Sequence, residues 1–347
     1  MTNMAVQAAG SDATICRDAS GCSFAHALPR SRLLAVYLVI PVSMLLIFTD
    51  IFCFGQQYKQ PWSDSLLSRQ AWWPLLFGLP HIVASSLTMV DKAYLAYYRT
   101  KLSAALLAYG LLSFAVATGP TWLAATVTVV LGFYTIHHLL AQQTGLTMTM
   151  LDHVGRGAKV WKYLVQACGL LLYLAIYLQL NYPQISIASY NPVALGASGF
   201  VVLLCVSACL ALRLQRDAAN AIARCYIWAN LAMLLSVAMA FALGYLPLVF
   251  IMPRLIHDLT AYQIYFNHDS NRNAQSRHNL LYAIPYLKYL PPWLILTLTS
   301  VIIALLLQSY WHPLTVGLVY WLTFMHYHTE GIIWRKPNLH RRHLLLS

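Results

Sequence analysis

The chain has 347 residues, of which 59% are hydrophobic and only 9% charged, with a mean hydropathy of +0.60. Soluble domains carry about a quarter charged residues, so this composition excludes an ordinary soluble fold. The formal net charge of +12 does not mark a nucleic-acid-binding protein, because the Lys and Arg residues lie between apolar runs, where they signal membrane topology.

Apolar runs of about 20 residues, each enough to cross a roughly 30 Å hydrocarbon core, recur from Leu33 to the C-terminus. They predict an all-α, polytopic helical membrane protein with ten spans, at 33–54, 71–90, 102–118, 121–151, 161–180, 192–213, 222–243, 247–267, 291–310 and 313–335. Pro253 predicts a kink or a partly unwound stretch in the eighth. Residues 1–30 read as a flexible polar tail without a secretory signal, residues 31–336 as one transmembrane domain, and residues 337–347 as a basic C-terminal tail. The intervening loops alternate between Lys/Arg-rich and Lys/Arg-poor. The basic set includes Lys92, Arg99 and Lys101, then Arg156, Lys159 and Lys162, then Arg213, Arg216 and Arg224, whereas 119–120, 181–191, 244–246 and 311–312 hold no Lys or Arg. Strict alternation places both termini in the cytoplasm of a multi-pass inner-membrane protein.

Seven cysteines show no paired spacing. Cys53, Cys168, Cys205, Cys209 and Cys225 fall in or beside apolar runs and read as small buried side chains, and Cys16 and Cys22 fall in the tail.

The informative residues are ionisable groups inside apolar spans, where they are costly and tend to be paired, metal-bound or functional. Glu330, the chain's only glutamate, follows His326 by four residues, so the two share a helix face. His81, His138 and His257 lie in three other even-numbered spans, which all run from outside to cytoplasm on this topology. At about 1.5 Å per residue, the four histidines stand roughly 13–21 Å from the cytoplasmic boundary, in one layer. Imidazoles and a carboxylate from facing helices form a ligand set suited to a transition metal. The predicted metal ligands are therefore His81, His138, His257, His326 and Glu330, with Glu330 also a candidate proton acceptor and Tyr327 a candidate catalytic group beside it.

Gln142, Asp258 and Tyr327 are candidates to hold the imidazole nitrogens that face away from the metal, and Tyr262 is a further candidate site residue. His137 points about 100° from His138, and His328 about 200° from His326, so both rank below their neighbours. His-Asp occurs twice on the eighth span, as His257-Asp258 and His268-Asp269. The second pair lies roughly 16 Å along the helix from the first, too far for one ion, and with Arg272 reads as a network at the cytoplasmic edge. His153, His278, His312, His340 and His343 read as ordinary surface residues.

The set Pro80-His81-Ile82-Val83-Ala84-Ser85, His138-x3-Gln142, His257-Asp258-x-Thr260-Ala261 with His268-Asp269-x-Asn271-Arg272-Asn273, and His326-Tyr327-x2-Glu330-x3-Trp334-Arg335 resembles a family of uncharacterised bacterial polytopic membrane proteins, from about residue 75 to 336. The resemblance implies a shared fold and site without a known reaction. Gly78-Leu79-Pro80-His81 is similar to a histidine motif of the membrane β-carotene-cleaving dioxygenases, whose intramembrane histidines are thought to hold iron, although the Gly and Asp expected after that histidine are absent. The HxxxH and HxxHH boxes of membrane desaturases are missing.

The residues thus predict a membrane metalloprotein, an iron-dependent oxidoreductase or oxygenase acting on a lipid-soluble substrate. The rival reading is a proton- or metal-ion-coupled transporter using the same His/Glu layer. No nucleotide- or flavin-binding fingerprint is present, so the enzyme reading requires a separate electron donor.

Overall fold

A computed structural model describes residues 26–57, 59, 78–151, 153–186, 190–274, 277–309, 312–335 and 338–347. Its long helices are α1 (Arg30–Cys53, with a 3-10 turn at Val36–Leu38), α2 (Leu79–Thr88), α3 (Lys92–Thr118), α4 (Thr121–Thr149) and α5 (Arg156–Asn181). They continue with α6 (Pro192–Leu214), α7 (Ala221–Ala242), α8 (Leu246–Arg272), α9 (Pro292–Ser309) and α10 (Pro313–Ile333), followed by one short helix, α11 (Leu339–Arg342). No strand occurs among the described residues. A helix coincides with each predicted span, although 71–77 of the second lie outside the described residues. Among the described residues, seven helices are long and apolar enough to cross a membrane: α1, α3, α4, α5, α6, α7 and α9.

The three helices that miss this criterion are α2, α8 and α10, which carry His81, His257 and His326. The described part of α2 has only 10 residues, and polar residues lower the hydropathy of α8 and α10; burial explains why the chain tolerates them. From Leu79 to Ser85 every residue of α2 is buried, with α8, α9 and α10 packed around it. The peripheral helices instead expose leucine and valine, as at Leu45, Leu107, Leu111 and Val202, the surface that lipid would cover.

Local chemistry sets the ends. Asp91 caps α3 by accepting from the Ala93 and Tyr94 amides (2.8 and 3.3 Å) and also pairs with Arg272 at the end of α8 (3.0 Å). This link starts α3 at Lys92, ten residues before the predicted span. Gly244, at φ +85°, makes the tight turn between α7 and α8. Contrary to the expected unwinding, α8 stays helical through Pro253. Polar side chains join α1, α4 and α7 in the core: the Tyr37 and Tyr226 hydroxyls both donate to Gln143 Oε1 (2.9 and 2.8 Å), and Asn230 donates to Thr147 (3.1 Å).

Residues 1–25 of the expected flexible tail lie outside the described residues, and the segment that follows them meets the C-terminal segment. Leu28 and Leu346 form a parallel bridge, with amides of Leu28 and Arg30 donating to Leu345 and Ser347. Asn267 and Asn271 on α8 hold both segments. The two tails therefore meet at one end of the bundle, and a membrane-spanning chain between them must cross an even number of times. The cysteine expectation holds only for Cys168; Cys53, Cys205, Cys209 and Cys225 are exposed on the bundle's apolar outside.

Gly317 lets α10 approach α3. A Cβ there would stand 3.0 Å from the Ser113 carbonyl oxygen and 3.0 Å from Ala117 Cβ. Gly317→Leu is expected to force the helices apart and cost about 1–3 kcal/mol, read as a lower melting temperature in detergent. An unchanged melting temperature would contradict this close approach.

Candidate metal centre

Four helices bring the predicted ligands together. The ring centroids of His81 lie 5.0 Å from those of His257 and 4.7 Å from those of His326, and His138 lies 5.0 Å from both His257 and His326. His81, His257 and His326 are each 1% exposed, His138 8% and Glu330 5%. The one-layer expectation from helix counting therefore corresponds to direct side-chain contact.

His81 Nε2 stands 3.1 Å from His326 Nε2 and 3.2 Å from His257 Nε2. The opposite ring nitrogen of His326 assigns its tautomer. Ser85 Oγ lies 2.6 Å from His326 Nδ1 while its own hydroxyl donates to the Ile82 carbonyl (3.1 Å), so it accepts a hydrogen bond from the imidazole N–H. Asp258 Oδ1 lies 3.1 Å from His81 Nδ1 without hydrogen-bond geometry, and Arg254 Nη2 lies 3.5 Å from the same nitrogen. A metal ion between His81 Nε2 and His326 Nε2 would need a lone pair on each nitrogen and would offset their repulsion across 3.1 Å. Nitrogen ligands about 2.0–2.1 Å from a metal stand roughly 3.0–3.4 Å apart when their bonds make right to tetrahedral angles, and the observed spacing matches. His81, His257 and His326 form one buried group with ligand atoms all within 4.8 Å of each other, and His138, His326 and Glu330 form a second. These groups can hold a metal ion.

Glu330 has a polar neighbour at each oxygen. Tyr265, fully buried on α8, donates to Oε1, and His138 Nε2 lies 3.3 Å from Oε2. That nitrogen and His257 Nδ1 are buried without a hydrogen-bond partner among the described residues. Arg254 pairs with Asp258 one turn on, its Nε 3.1 Å from Oδ1.

The remaining predicted residues divide. Tyr327 lies beside the site, its ring 4.4 Å from His138 and its hydroxyl 2.8 Å from Thr135 Oγ1. Asp258 is in place, although it approaches His81 from another helix. Ser85, one turn after His81, serves His326. Gln142 instead accepts from Gln143 (3.3 Å), and Tyr262 bonds to Ser300 on α9 (3.1 Å), so neither holds a site histidine. His137 points outward, and His328 faces Tyr109 of α3 (5.8 Å). Sequence reasoning missed Tyr265 and Arg254. The i,i+4 spacing of Arg254 and Asp258 was a usable signal for the second; nothing local marks Tyr265.

His268, Asp269 and Arg272 form the separate network expected of them. His268 Nδ1 meets Asp269 Oδ1 (2.7 Å), its Nε2 meets the Tyr94 hydroxyl (2.9 Å), and Tyr282 donates to Asp269. His340, expected on the surface, is fully buried here, its ring stacked on His268 (4.7 Å) and against Tyr94 (3.8 Å). Burial, then the nearby His268 and His343, holds His340 well below the ordinary imidazole range. Burial, then His268, Arg272 and His278, brings His343 down to about 4, with Asp91 opposing. Released histidines titrate near 6.5, so the undocked tail binds more protons at lower pH. Docking is complete above about pH 6.5 and weakens as the pH falls towards 4. Hydrogen-exchange protection of 338–347, corrected for intrinsic rates, should drop between about pH 7 and pH 5; constant protection would contradict the assignment.

A cavity of about 600 Å³ adjoins the metal-ligand cluster, bounded mainly by apolar side chains, with Arg254 and Tyr327 in its wall. No family model, curated protein or solved structure matches the chain.

Proposed function

We propose that the chain is a ten-span protein of the bacterial inner membrane, with cytoplasmic termini, and a non-haem iron oxidoreductase or oxygenase acting on a lipid-soluble substrate. The placement of His81 Nε2 at 3.1 Å from His326 Nε2 and 3.2 Å from His257 Nε2, in a fully buried layer, carries this reading. His81, His138, His257, His326 and Glu330 would hold the ion. A mixed imidazole and carboxylate set suits iron chemistry, and the adjoining apolar cavity suits a substrate drawn from lipid. Bound iron would supply oxygen activation. Ser85 keeps the His326 imidazole oriented with Nε2 inward, and Asp258 lies beside His81 Nδ1. Glu330, which accepts from Tyr265, is also a candidate proton acceptor, and Tyr327 offers a hydroxyl at the cavity wall. A separate protein or small-molecule donor would supply electrons. The even number of crossings that the paired tails require supports counting α2, α8 and α10 with the seven apolar spans.

Transport of protons or metal ions through the same layer is the second reading. It requires access from both sides, and buried Tyr265, Tyr94, Tyr98 and His268 fill the side opposite the cavity, which favours the enzyme.

Elemental analysis of the detergent-purified protein, with electron paramagnetic resonance of the ferrous-nitrosyl adduct, tests the proposal. Near-stoichiometric iron and a high-spin nitrosyl signal are expected. Protein that contains no metal and takes up none on reconstitution would overturn it.

A further inference from the structure

The shape of the cavity beside the histidine layer is informative, because it lies on one side of that layer only. On α8 its lining runs from Val249 to Arg254 and stops one turn before His257. On α10 it runs from Thr315 to Tyr327, ending at the position after His326. The following turns of both helices contribute no lining residue, and Tyr265 and Ile333 there are fully buried. Among the described residues the cavity ends on Arg254 and Tyr327, which lie beside the ligand cluster. Twelve residues of α10 separate Thr315 from Tyr327, which makes the cavity roughly 18 Å deep.

The other end leads to the apolar outside. A second cavity, of about 460 Å³, lies between α9 and α10 and shares Leu307 and Thr315 with the first. Leu306 and Leu314 on its rim are each 58% exposed. Consecutive helices in this fold would be expected to pair closely, but α9 packs mainly on α2 and α10 on α3. The two diverge and leave a gap on the lipid-facing side.

Polarity is graded along the same axis. The upper and middle walls are mainly aliphatic, whereas the floor presents the Arg254 guanidinium and the Tyr327 hydroxyl. The guanidinium is a donor, whereas the Tyr327 hydroxyl, which is bonded to Thr135 Oγ1, is a polar contact that can also turn its proton to a ligand. Arg254 already has Asp258 as a counter-charge, so the floor suits an uncharged acceptor oxygen.

We propose that the cavity admits a hydrocarbon chain sideways from the membrane between α9 and α10 and holds it end-on, with an oxygen-bearing terminus against Arg254 and Tyr327. This deepens the enzyme reading and rests on it for the reaction, but the binding mode stands on the cavity alone. It assigns the protein to substrates with a reactive chain terminus, such as a long-chain primary alcohol or aldehyde. A chain whose middle must reach the metal would need an opening beyond the histidines, where the packing is closed.

The test uses full-length protein in detergent and hexadecanol as the probe, photolabelled with a diazirine either beside the hydroxyl or at the methyl end. Mass-spectrometric mapping is expected to place the hydroxyl-end label on the Arg254 and Tyr327 segments and the methyl-end label near Leu307 and Thr315. Hexadecane should bind at least tenfold more weakly than hexadecanol, and Val319→Trp, which fills the middle of the cavity, should weaken hexadecanol binding at least tenfold with metal content unchanged. Reversed or mid-chain labelling, or hexadecane binding as tightly as hexadecanol, overturns the proposal. Metal content measured in the same samples separates the two readings. Correct labelling in a protein that binds no metal removes the iron assignment and leaves the end-on mode, whereas a metal-loaded protein labelled elsewhere removes the end-on mode alone.

Discussion

His326→Ala is expected to abolish metal binding, whereas His328→Ala, two residues further along the same helix, should leave it intact. His326 belongs to both candidate ligand groups. Its loss removes the nitrogen facing His81 Nε2 and breaks the group that includes His138 and Glu330. His328 faces Tyr109 on α3, so its truncation is a local packing change. Ser85→Ala should fall between the two. It keeps every ligand but removes the acceptor for His326 Nδ1–H, and losing such an outer partner typically costs about 10–100-fold in metal affinity. Chelator competition on purified variants reads all three. Equal metal affinity in the His326 and His328 variants would sink the assignment of His326 as a ligand. Circular dichroism and melting temperature identify a variant that has merely failed to fold.

Asp258→Ala should destabilise the protein far more than the double variant Arg254→Met/Asp258→Ala. Asp258 is 9% exposed at its side chain and Arg254 17%, and Arg254 Nε lies 3.1–3.2 Å from both carboxylate oxygens. Removing the aspartate leaves a largely desolvated guanidinium without this counter-charge, a change that costs about 3–5 kcal/mol in comparable buried pairs. Removing both charges restores an apolar lining of similar volume, and the cost should fall to about 1 kcal/mol or less. Unfolding of the single and double variants in detergent completes the cycle. Additive effects would show that the two residues act independently, against the contact seen here. Metal content distinguishes this role from an effect on His81, because Asp258→Asn keeps the shape and removes the charge beside His81 Nδ1 in either background.

Both predictions rest on contacts between helices, and these contacts divide what could be read locally from what could not. The i,i+4 relation of His326 and Glu330 was available in one segment, as was the common depth of His81, His138, His257 and His326. A helix advances by a fixed rise and rotation per residue, so position along the chain converts to depth and face. The same arithmetic ranked His326 above His328 and His138 above His137, in agreement with the contacts found. It failed where the partner sits on another helix. Ser85, one turn after His81, bonds to His326, and Gln142, one turn after His138, bonds to Gln143. Tyr265, which donates to Glu330, has no local signature, because a tyrosine in a membrane helix is common at an interface belt. His340 looked like part of a basic tail and is buried because that tail folds back onto α8.

By itself, the sequence determined that this is an all-helical chain with apolar helices of membrane-crossing length, that its ionisable residues within them are few, and which of those residues share a depth. These properties follow from composition and helical periodicity, which act within one segment. Only the tertiary structure decided that His81 Nε2 lies 3.1–3.2 Å from the Nε2 atoms of His326 and His257, that Ser85, Asp258 and Tyr265 neighbour the surrounding groups, and that an apolar cavity ends on Arg254 and Tyr327 beside them. The rotation of each helix about its own axis sets those distances, and that rotation is chosen by packing against neighbours distant in the chain, as at Gly317 on α3 and Asp91 with Arg272.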